Sequence, residues 1–400
     1  LFAMPALMRF VTPMVGAMAG GAGGALAVDR ERFAKEITAL VDGEPLITIH
    51  RGEVPRLPVE IGTSDPVIVA TGPLTSEQLS ADIEAFVGHD QLYFYDAISP
   101  IVLAESVNCD TAFRASRLVR RRSSEALKTR QACGSFTDDG DYLNCPLSKD
   151  EYRQFYDALT TAELAEVHDF DRTPFFEGCL PIEVMAHRGV DTLRFGPMKP
   201  VGLVDPKTGR RPYAVVQLRQ DNIAADHFSL VGFQTQLKWP EQRRVLRLIP
   251  GLEQAEFVRF GMIHRNTYIN APAVLTATWQ TRARPDLFFA GQLSGVEGYV
   301  ESAASGLVAG MNAAALALGD RPRELPRTTA LGALAHYVSH ADSSHYQPTN
   351  IAYGLIPSLD EPPRGRQQRR LALATRALRD LEAWRSGIKE TDGTTSAGVP

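Results

Sequence analysis

The hydrophobic positions in the first ninety residues of this chain alternate between a helical and an extended period. Apolar side chains recur every three to four positions between residues 30 and 41, which predicts a helix with Asp29 as its cap. Two apolar runs, LITIH and VIVATG, have the length and β-branched content of strands. SEQLSADIEAFV then returns to helical spacing behind Thr75 or Ser76 as a cap. Such alternation is typical of α/β proteins.

The middle of the chain is rich in strand-like runs, and its end returns to helices. LYFYDAISPIV, YAVVQLRQ and HFSLVGFQTQL predict strands, and DPKTGRR predicts a turn. ELPRTTALGALAHYVSH predicts an amphipathic helix, and RGRQQRRLALATRALRDLEAWRSG predicts a strongly basic one. In the basic helix we expect the leucines to face inward, namely Leu371, Leu373, Leu378 and Leu381. The polar segment after Ile388, at the C-terminus of this sequence, is expected to be disordered.

The stretch FFAGQLSGVEGYVESAASG, residues 288–306, predicts a short strand, a glycine-spaced loop and a helix of small residues that continues to Ala317. Gly291, Gly295 and Gly298 permit positive φ, which lets backbone N–H groups approach an anionic group. The start of the helix adds the positive end of a dipole. Many α/β proteins have a glycine-rich turn without a cofactor, so spacing alone leaves a cofactor site and a plain turn open.

Composition and charge narrow the class of protein. A chain of 400 residues with 44% hydrophobic content is long enough for two or three packed domains. No apolar stretch of about 18 residues runs through its middle, and its start lacks the features of a signal peptide. We therefore expect a cytoplasmic protein without membrane association. The net charge of −5 does not itself indicate a nucleic-acid partner, although a local basic stripe is enough for one.

The cysteines form neither a CxxC pair nor a metal-ligand spacing with histidine, so we expect reduced thiols and no metal site. They are Cys109, Cys133, Cys145 and Cys179. Cys179 lies among phenylalanines and a proline, where a cysteine is more often a small buried hydrophobe than a nucleophile. The residues alone leave both roles open for Cys179, and they favour packing for Cys145.

Ten stretches in consistent order resemble the TrmFO family, folate-dependent tRNA uracil-5-methyltransferases related to the larger GidA-type flavoproteins. They are AGQLSGVEGYVESAASG, GGALAVDRERFA, VIVATGPLTS, LYFYDAISPIV, DYLNCPLSKDEY, FFEGCLPIEVMAHRG, LRFGPMKPVGLVDPKTG, RPYAVVQLRQDN, VGFQTQLKWPEQ and HRNTYIN. The resemblance extends from about Gly23 to about Trp384. It lapses between about residues 118 and 137, an arginine-rich segment that is either a solvated loop or an RNA contact.

The resemblance implies an α/β fold with a discontinuous, Rossmann-like FAD-binding domain of the two-dinucleotide-domain flavoprotein type and an inserted mixed α/β domain. The expected parts are a divergent leader (1–22), a partial FAD-binding domain (23–72), an inserted substrate and tRNA domain (73–275), the C-terminal part of the FAD-binding domain with the basic helix (276–388) and a disordered tail (389–400). A GxGxxG fingerprint with its acidic partner has no match, and neither does the family's second cysteine. The chain is therefore expected to lack the first part of its flavin domain, and the glycines near residue 20 do not replace it.

The resemblance also implies an activity, the formation of 5-methyluridine at the T-loop uridine, position 54, of tRNA. Cys179 would be the nucleophile, because Phe-Glu-Gly-Cys-x-Pro-x-Glu is similar to the family's catalytic segment. 5,10-Methylenetetrahydrofolate would donate the carbon, FAD would carry it, and NADH or NADPH would supply electrons. The implied cofactor-binding residues are Thr71, Gly72, Gly291, Gln292, Gly295, Glu297, Gly298 and Ser302. The implied substrate-binding residues are Tyr299, His264, Arg265 and Asn266.

Two alternatives come from other functional classes. One is an NAD(P)H-linked flavin oxidoreductase without an RNA substrate. The other is an inactive remnant that binds RNA, which the unmatched fingerprint favours. Flavin absorption by the purified protein distinguishes either enzyme from the RNA-binding remnant. Salt-dependent tRNA binding distinguishes the methyltransferase from the plain oxidoreductase.

Overall fold

The computed structural model describes residues 18–22, 25–28, 30–58, 65–88, 92–117, 140, 142–165, 180–222 and 224–392. Several expectations lie outside these residues: most of the leader 1–22, the Asp29 cap, the arginine-rich segment 118–137 with Cys133, the nucleophile Cys179 and the tail beyond Asp392. The chain divides into two compact units. Unit 1 comprises Leu1–Arg51 and Tyr95–His264, and unit 2 comprises Gly52–Phe94 and Arg265–Pro400.

The described strands and helices are numbered in chain order. The strands are β1 (Met18–Ala22), β2 (Ala25–Val28), β3 (Val67–Val69), β4 (Leu92–Ala97), β5 (Ile101–Leu103), β6 (Phe113–Ala115), β7 (Tyr142–Leu147), β8 (Ala214–Gln220), β9 (His227–Leu230), β10 (Phe257–Arg259), β11 (Ile263–Tyr268) and β12 (Leu287–Phe289). The helices are α1 (Arg30–Asp42), α2 (Glu77–Val87), α3 (Lys149–Thr160), α4 (Ile182–His187), α5 (Thr192–Phe195), α6 (Trp239–Leu246), α7 (Ala271–Val274), α8 (Tyr299–Ala317), α9 (Ala330–His340) and α10 (Arg366–Asp392).

Unit 1 is built around a six-stranded antiparallel sheet of order β10-β5-β9-β8-β7-β6. Strand β8 is buried from Ala214 to Leu218, which explains its largely apolar run. Its one buried polar side chain, Gln217, donates through Nε2 to Asn144 Oδ1 at 2.9 Å. The aromatic side chains of Tyr152 and Phe155 on α3 join the same core. A capping box starts α3, because Ser148 accepts from the Glu151 amide while the Glu151 carboxylate accepts from the Ser148 amide. This cap fixes the turn from β7 into α3.

The described N-terminal strands β1 and β2 form an antiparallel hairpin in which Gly20 lies opposite Ala27 and Gly21 opposite Leu26. These glycines therefore lie within a strand. They do not form a strand-to-helix turn, in agreement with the decision not to interpret them as a dinucleotide loop.

Unit 2 contains a parallel pair, with Leu287 of β12 opposite Val67 of β3. All three residues of β12 are fully buried, and α8 packs against both strands. Helix α2 follows β3 and begins as predicted, since Ser76 Oγ accepts a hydrogen bond from the Leu79 amide. None of the described helices combines the length and the apolar content that crossing a bilayer requires.

The strand predicted at LITIH is wrong. These residues pair with no strand among the described residues, and Leu46 is 92% exposed. The run follows the end of α1, where the Ile47 amide donates to the Glu44 carbonyl in a turn. An alternating pattern forms a strand only where a neighbour completes the ladder, and this run has none among the described residues.

The predicted inward face of α10 is also wrong for three of its four leucines. Leu373 is buried, whereas Leu371, Leu378 and Leu381 are exposed, because these positions fall on different sides of the helix. Polar contacts hold the packed side instead. Trp384 Nε1 donates to the Glu324 carbonyl at 2.8 Å, and Thr328 Oγ1 donates to Asp380 at 2.6 Å. The helix continues to Asp392, past the predicted start of the tail.

Candidate cofactor and nucleophile sites

The carboxyl ends of β3 and β12 meet at one edge of the parallel pair in unit 2. The Ala290 amide donates to the Val69 carbonyl at 3.0 Å, so Thr71 and Gly72 leave the sheet beside Gly291. Ligands of open α/β sheets bind outside the carboxyl ends of parallel strands. The structure thus brings two sequence-distant groups of predicted cofactor residues to the same edge.

The glycine loop after β12 has the positive φ values that its sequence predicts. They are 71° at Gly291, 79° at Gly295 and 98° at Gly298. A Cβ on Gly295 would overlap the Tyr346 hydroxyl, which donates to the Ser294 carbonyl at 2.8 Å. Gly295 is therefore required by its backbone conformation and by close approach of a neighbour.

A second segment supports this loop from behind. The Thr349 amide donates to the Gly295 carbonyl at 3.0 Å, and the Glu297 amide donates to the Thr349 carbonyl at 2.9 Å. Neither Tyr346 nor Thr349 was predicted from the sequence to lie at this site. No local signal marks them, because they reach the loop only through the fold.

The expectation that the loop glycines donate to a ligand needs correction. The Gly291 amide donates to Ser305 Oγ at 2.8 Å, and the Gly295 amide donates to the Gln292 carbonyl at 2.9 Å. Helix α8, by contrast, starts at Gly298 without a side-chain cap. The first amides of a helix have no partner within it, so the donors available to a ligand are those at the start of α8.

The remaining predicted cofactor residues surround that helix start. Gln292 Nε2 donates to Glu297 Oε1 at 2.8 Å, and Ser302 Oγ donates to the Val296 carbonyl at 3.3 Å. Tyr299 is 95% exposed at the first position of α8. A large aromatic ring thus stands beside uncapped helix amides and the edge of a parallel pair, an arrangement that accommodates a flat ring system.

Strand β11 runs beside these loops. The Thr267 amide donates to the Pro73 carbonyl at 3.0 Å, and the Ile269 amide donates to the Leu293 carbonyl at 2.8 Å. Asn266 precedes these contacts and is buried, so little of its side chain is accessible to a substrate. His264 is the last residue of unit 1 and Arg265 begins the second segment of unit 2. Substrate binding by these three residues remains a prediction.

The predicted nucleophile Cys179 lies outside the described residues. The chain is described again from Leu180, and the side chains that follow are firmly held. The Ile182 amide donates to the Gln234 carbonyl at 2.7 Å. Glu183 is buried, and its carboxylate accepts from Thr235 Oγ1 at 2.9 Å and from the Gln236 amide at 2.7 Å. Burial raises the pKa of Glu183, and these hydrogen bonds oppose the rise.

The same segment also holds the chain that precedes residues 166–179. The Ala165 amide donates to the Gln236 carbonyl at 2.8 Å, and the Lys238 amide donates to the Glu163 carbonyl at 3.0 Å. Lys238 Nζ lies 2.9 Å from the Glu163 carboxylate. Residues 234–238, the anchor segment, therefore fix both ends of the stretch that contains Cys179. In the sequence, the only indication of this anchoring was Glu183, which matches the glutamate of the family's catalytic segment.

The described cysteines differ in state. Cys145 is a free thiol buried at the centre of β7, and burial raises its pKa to about 12. Such a thiol is neither ionised nor accessible, which confirms packing as its role. Cys109 is disulfide-bonded, so the expectation of reduced thiols is wrong there. Spacing along the chain does not reveal such a bond, because the fold decides which sulfurs meet.

A family model and curated proteins match this chain over most of its length. A family model described as glucose inhibited division protein A matches residues 10–321. The TrmFO of Pelotomaculum thermopropionicum is 54% identical over 367 residues, which cover 92% of this chain and 79% of the relative. The TrmFO of Solibacter usitatus is 56% identical over 374 residues, which cover 92% and 80%. The chain belongs to the TrmFO family. Both relatives are named methylenetetrahydrofolate--tRNA-(uracil-5-)-methyltransferase.

A solved structure of GidA from Aquifex aeolicus, in its form II crystal, shares the fold of this TrmFO-family chain. The TM-score is 0.55 at 15% identity, and the match covers 85% of this chain. The chain spans 62% of the length of that GidA chain. This likeness confirms the expected mixed α/β, GidA-type fold class.

Proposed function

We propose that this chain is a folate-dependent tRNA uracil-5-methyltransferase of the cytoplasm that forms 5-methyluridine at the T-loop uridine, position 54. Its carbon donor is 5,10-methylenetetrahydrofolate, and NADH or NADPH supplies the electrons. The observation that carries the proposal is an identity of 52–56% over nine-tenths of the chain to curated proteins named for this activity.

The cofactor of the proposed reaction is FAD. Two observations support the fit: the uncapped start of α8 beside the exposed Tyr299, and the open space above Gly72, where a Cβ would meet no atom. When bound, the flavin supplies carbon-carrier and reducing chemistry that no side chain provides. The residues that would hold it are Thr71, Gly72, Gly291, Gln292, Gly295, Glu297, Gly298 and Ser302. Tyr299 would stack against the bound ring system.

The nucleophile of the proposed reaction is Cys179. Uracil C5 is a poor nucleophile, and addition of the Cys179 thiolate at C6 gives C5 enolate character. The uridine has to leave its stack to reach a thiolate, so the protein must hold a single-stranded or distorted RNA region. The anchor segment supports this role, because it fixes the chain on both sides of the stretch that contains the thiol.

A covalent trapping experiment tests this proposal. Transfer RNA that contains 5-fluorouridine is incubated with the wild-type protein, the Cys179→Ser variant and the Cys145→Ser variant, and the adducts are resolved by denaturing electrophoresis. Wild type and Cys145→Ser are expected to form the adduct, and Cys179→Ser is expected to form none. An adduct that persists in Cys179→Ser would show that another residue is the nucleophile.

A further inference from the structure

Unit 1 contains an open cavity of about 590 Å³ at the N-terminal end of α3, away from the residues discussed above. Its walls include the capping box of α3, the aromatic ring of Tyr213 and a turn that spans residues 205–211. Three basic side chains of this turn line the cavity: Lys207, Arg210 and Arg211. The turn was predicted from the sequence DPKTGRR, but the function proposed above does not use it.

Internal hydrogen bonds hold the turn in one conformation. Asp205 is buried, and its carboxylate accepts from the Lys207 amide at 2.9 Å and from Thr208 Oγ1 at 3.1 Å. The Asp205 amide donates to the Arg210 carbonyl at 2.9 Å, and Gly209 has a φ of 64°. The three basic side chains therefore extend from a preformed backbone, which lowers the entropy lost when they bind a ligand.

The lining of the cavity carries three basic and two acidic side chains, which gives a net formal charge of +1. Lys207, Arg210 and Arg211 are exposed, and the structure shows no ion pair for any of them within the described residues. The two carboxylates on the walls already accept hydrogen bonds: Asp205 within its turn, and Glu151 from the Ser148 amide at 2.7 Å. A cluster of unpaired cations in a chain of net charge −5 is a local feature that favours a polyanion.

The position of the cavity indicates which part of an RNA it would contact. Its walls lie at the start of α3, whereas the anchor segment bonds to Glu163 and Ala165, just after the end of that helix. Twelve helical residues extend about 18 Å at about 1.5 Å per residue. The cavity is thus about one helix length from Ala165, the last described residue before the stretch that contains Cys179, a separation that an RNA chain can span.

We infer that Lys207, Arg210 and Arg211 bind backbone phosphates of the tRNA that flank the target uridine. Guanidinium groups recognise phosphate oxygens in pairs, and a lysine adds a point charge. Such contacts position the RNA without reading its sequence. The inference rests on the proposed function, because it takes tRNA as the substrate.

The test compares a Lys207→Gln/Arg210→Gln/Arg211→Gln variant with a matched control, Arg153→Gln/Arg219→Gln/Arg259→Gln, which removes three exposed arginines of unit 1 that do not line the cavity. The dissociation constant for tRNA is measured between about 50 and 200 mM salt. Each lost phosphate contact lowers the slope of log K against log salt by about 0.7–0.9. We expect the cavity variant to lose about 2 to 3 in slope and the control to match wild type.

Two further readouts make the test decisive. The rate at saturating tRNA and the yield of 5-fluorouridine adduct are expected to stay near wild type in the cavity variant, because phosphate contacts position the RNA and take no part in the chemistry. Equal slopes in wild type and cavity variant, equal losses in both variants, or a lower saturating rate with an unchanged slope would each overturn the inference. A wild-type protein that does not bind tRNA would instead refute the proposed function.

Discussion

Tyr299 stands almost fully exposed at the first position of α8, although aromatic rings usually bury 150–250 Å². We expect Tyr299→Ala to reduce folate-dependent turnover by about tenfold, since loss of a stacked ring costs about 0.5–1.5 kcal/mol beyond burial. The affinity for tRNA should remain near that of wild type. The measurement is the rate as a function of methylenetetrahydrofolate concentration, together with tRNA binding.

The matched control for this prediction is Tyr299→Phe, which keeps the ring and is expected to retain most of the turnover. Because the side chain makes little contact with the protein, neither variant should change the unfolding temperature. Weakened tRNA binding with unchanged folate dependence would mean that Tyr299 has another role.

The glycines of the loop after β12 show which backbone properties can be predicted from single residues. Positive φ at Gly291, Gly295 and Gly298 was predictable, because only glycine adopts it without steric cost. The partners of their amides were not predictable, since Ser305 Oγ and the Gln292 carbonyl take them through the fold. Cys145 was predictable as a packing residue from its matching strand-like context, and its complete burial agrees.

At the scale of the elements, the hydrogen bonds between Glu183 on α4 and the anchor segment lead to a prediction. Glu183→Ala removes an acceptor for Thr235 and the Gln236 amide, and hydrogen bonds to a charged group contribute about 1.5–3 kcal/mol. Glu183→Gln can still accept from Gln236 and donate to Thr235. We expect the alanine variant to form the Cys179 adduct at least about tenfold more slowly and the glutamine variant to recover most of the rate. Equal rates in wild type and both variants would contradict a positioning role.

The glutamine variant also predicts a pH dependence. Burial raises the pKa of Glu183, so ionisation of this group opposes folding. The stability of wild type relative to Glu183→Gln should therefore fall as the pH rises from the unfolded pKa, about 4.3, through the raised folded value. Unfolding free energies of the two proteins at pH 4 and pH 8 check the sign of this change.

Periodicity predicted helices α1, α2, α8, α9 and α10 and several strands. It failed where a neighbouring element determines the structure. Helix α2 and its Ser76 cap follow from local chemistry. The LITIH strand does not form, because no described neighbour pairs with it, and α10 packs through Trp384 and Asp380 although its leucines suggested an apolar side. The anchor segment escaped prediction because its hydrogen bonds join residues more than fifty positions apart along the chain.

At the scale of the whole molecule, the run of strands and helices predicted a mixed α/β protein, and the family resemblance supplied the GidA-type fold. Periodicity did not distinguish the antiparallel sheet of unit 1 from the parallel pair of unit 2. The antiparallel strand β8 and the parallel strand β12 are both buried over at least three consecutive residues, so burial and apolar content do not separate the two kinds of sheet.

The proposed function requires that the purified protein shows flavin absorption bands, oxidises NADH or NADPH, and binds tRNA with strong salt dependence. Spectrophotometry and a salt series of tRNA binding check these expectations on one preparation. Flavin and nicotinamide oxidation without tRNA binding would favour the plain oxidoreductase. Binding of tRNA by a protein without flavin would favour the RNA-binding remnant.

The anchor segment has a consequence for the evolution of the stretch between Ala165 and Leu180. Its two described ends are hydrogen-bonded to the same five residues. The entropic cost of closing a chain segment grows slowly, by only about 0.6 kcal/mol for each doubling of its length. Changes in the length of this stretch should thus alter the free energy of folding of unit 1 little through loop closure. Substrate preference can therefore evolve there by changes of length while the anchor segment is kept.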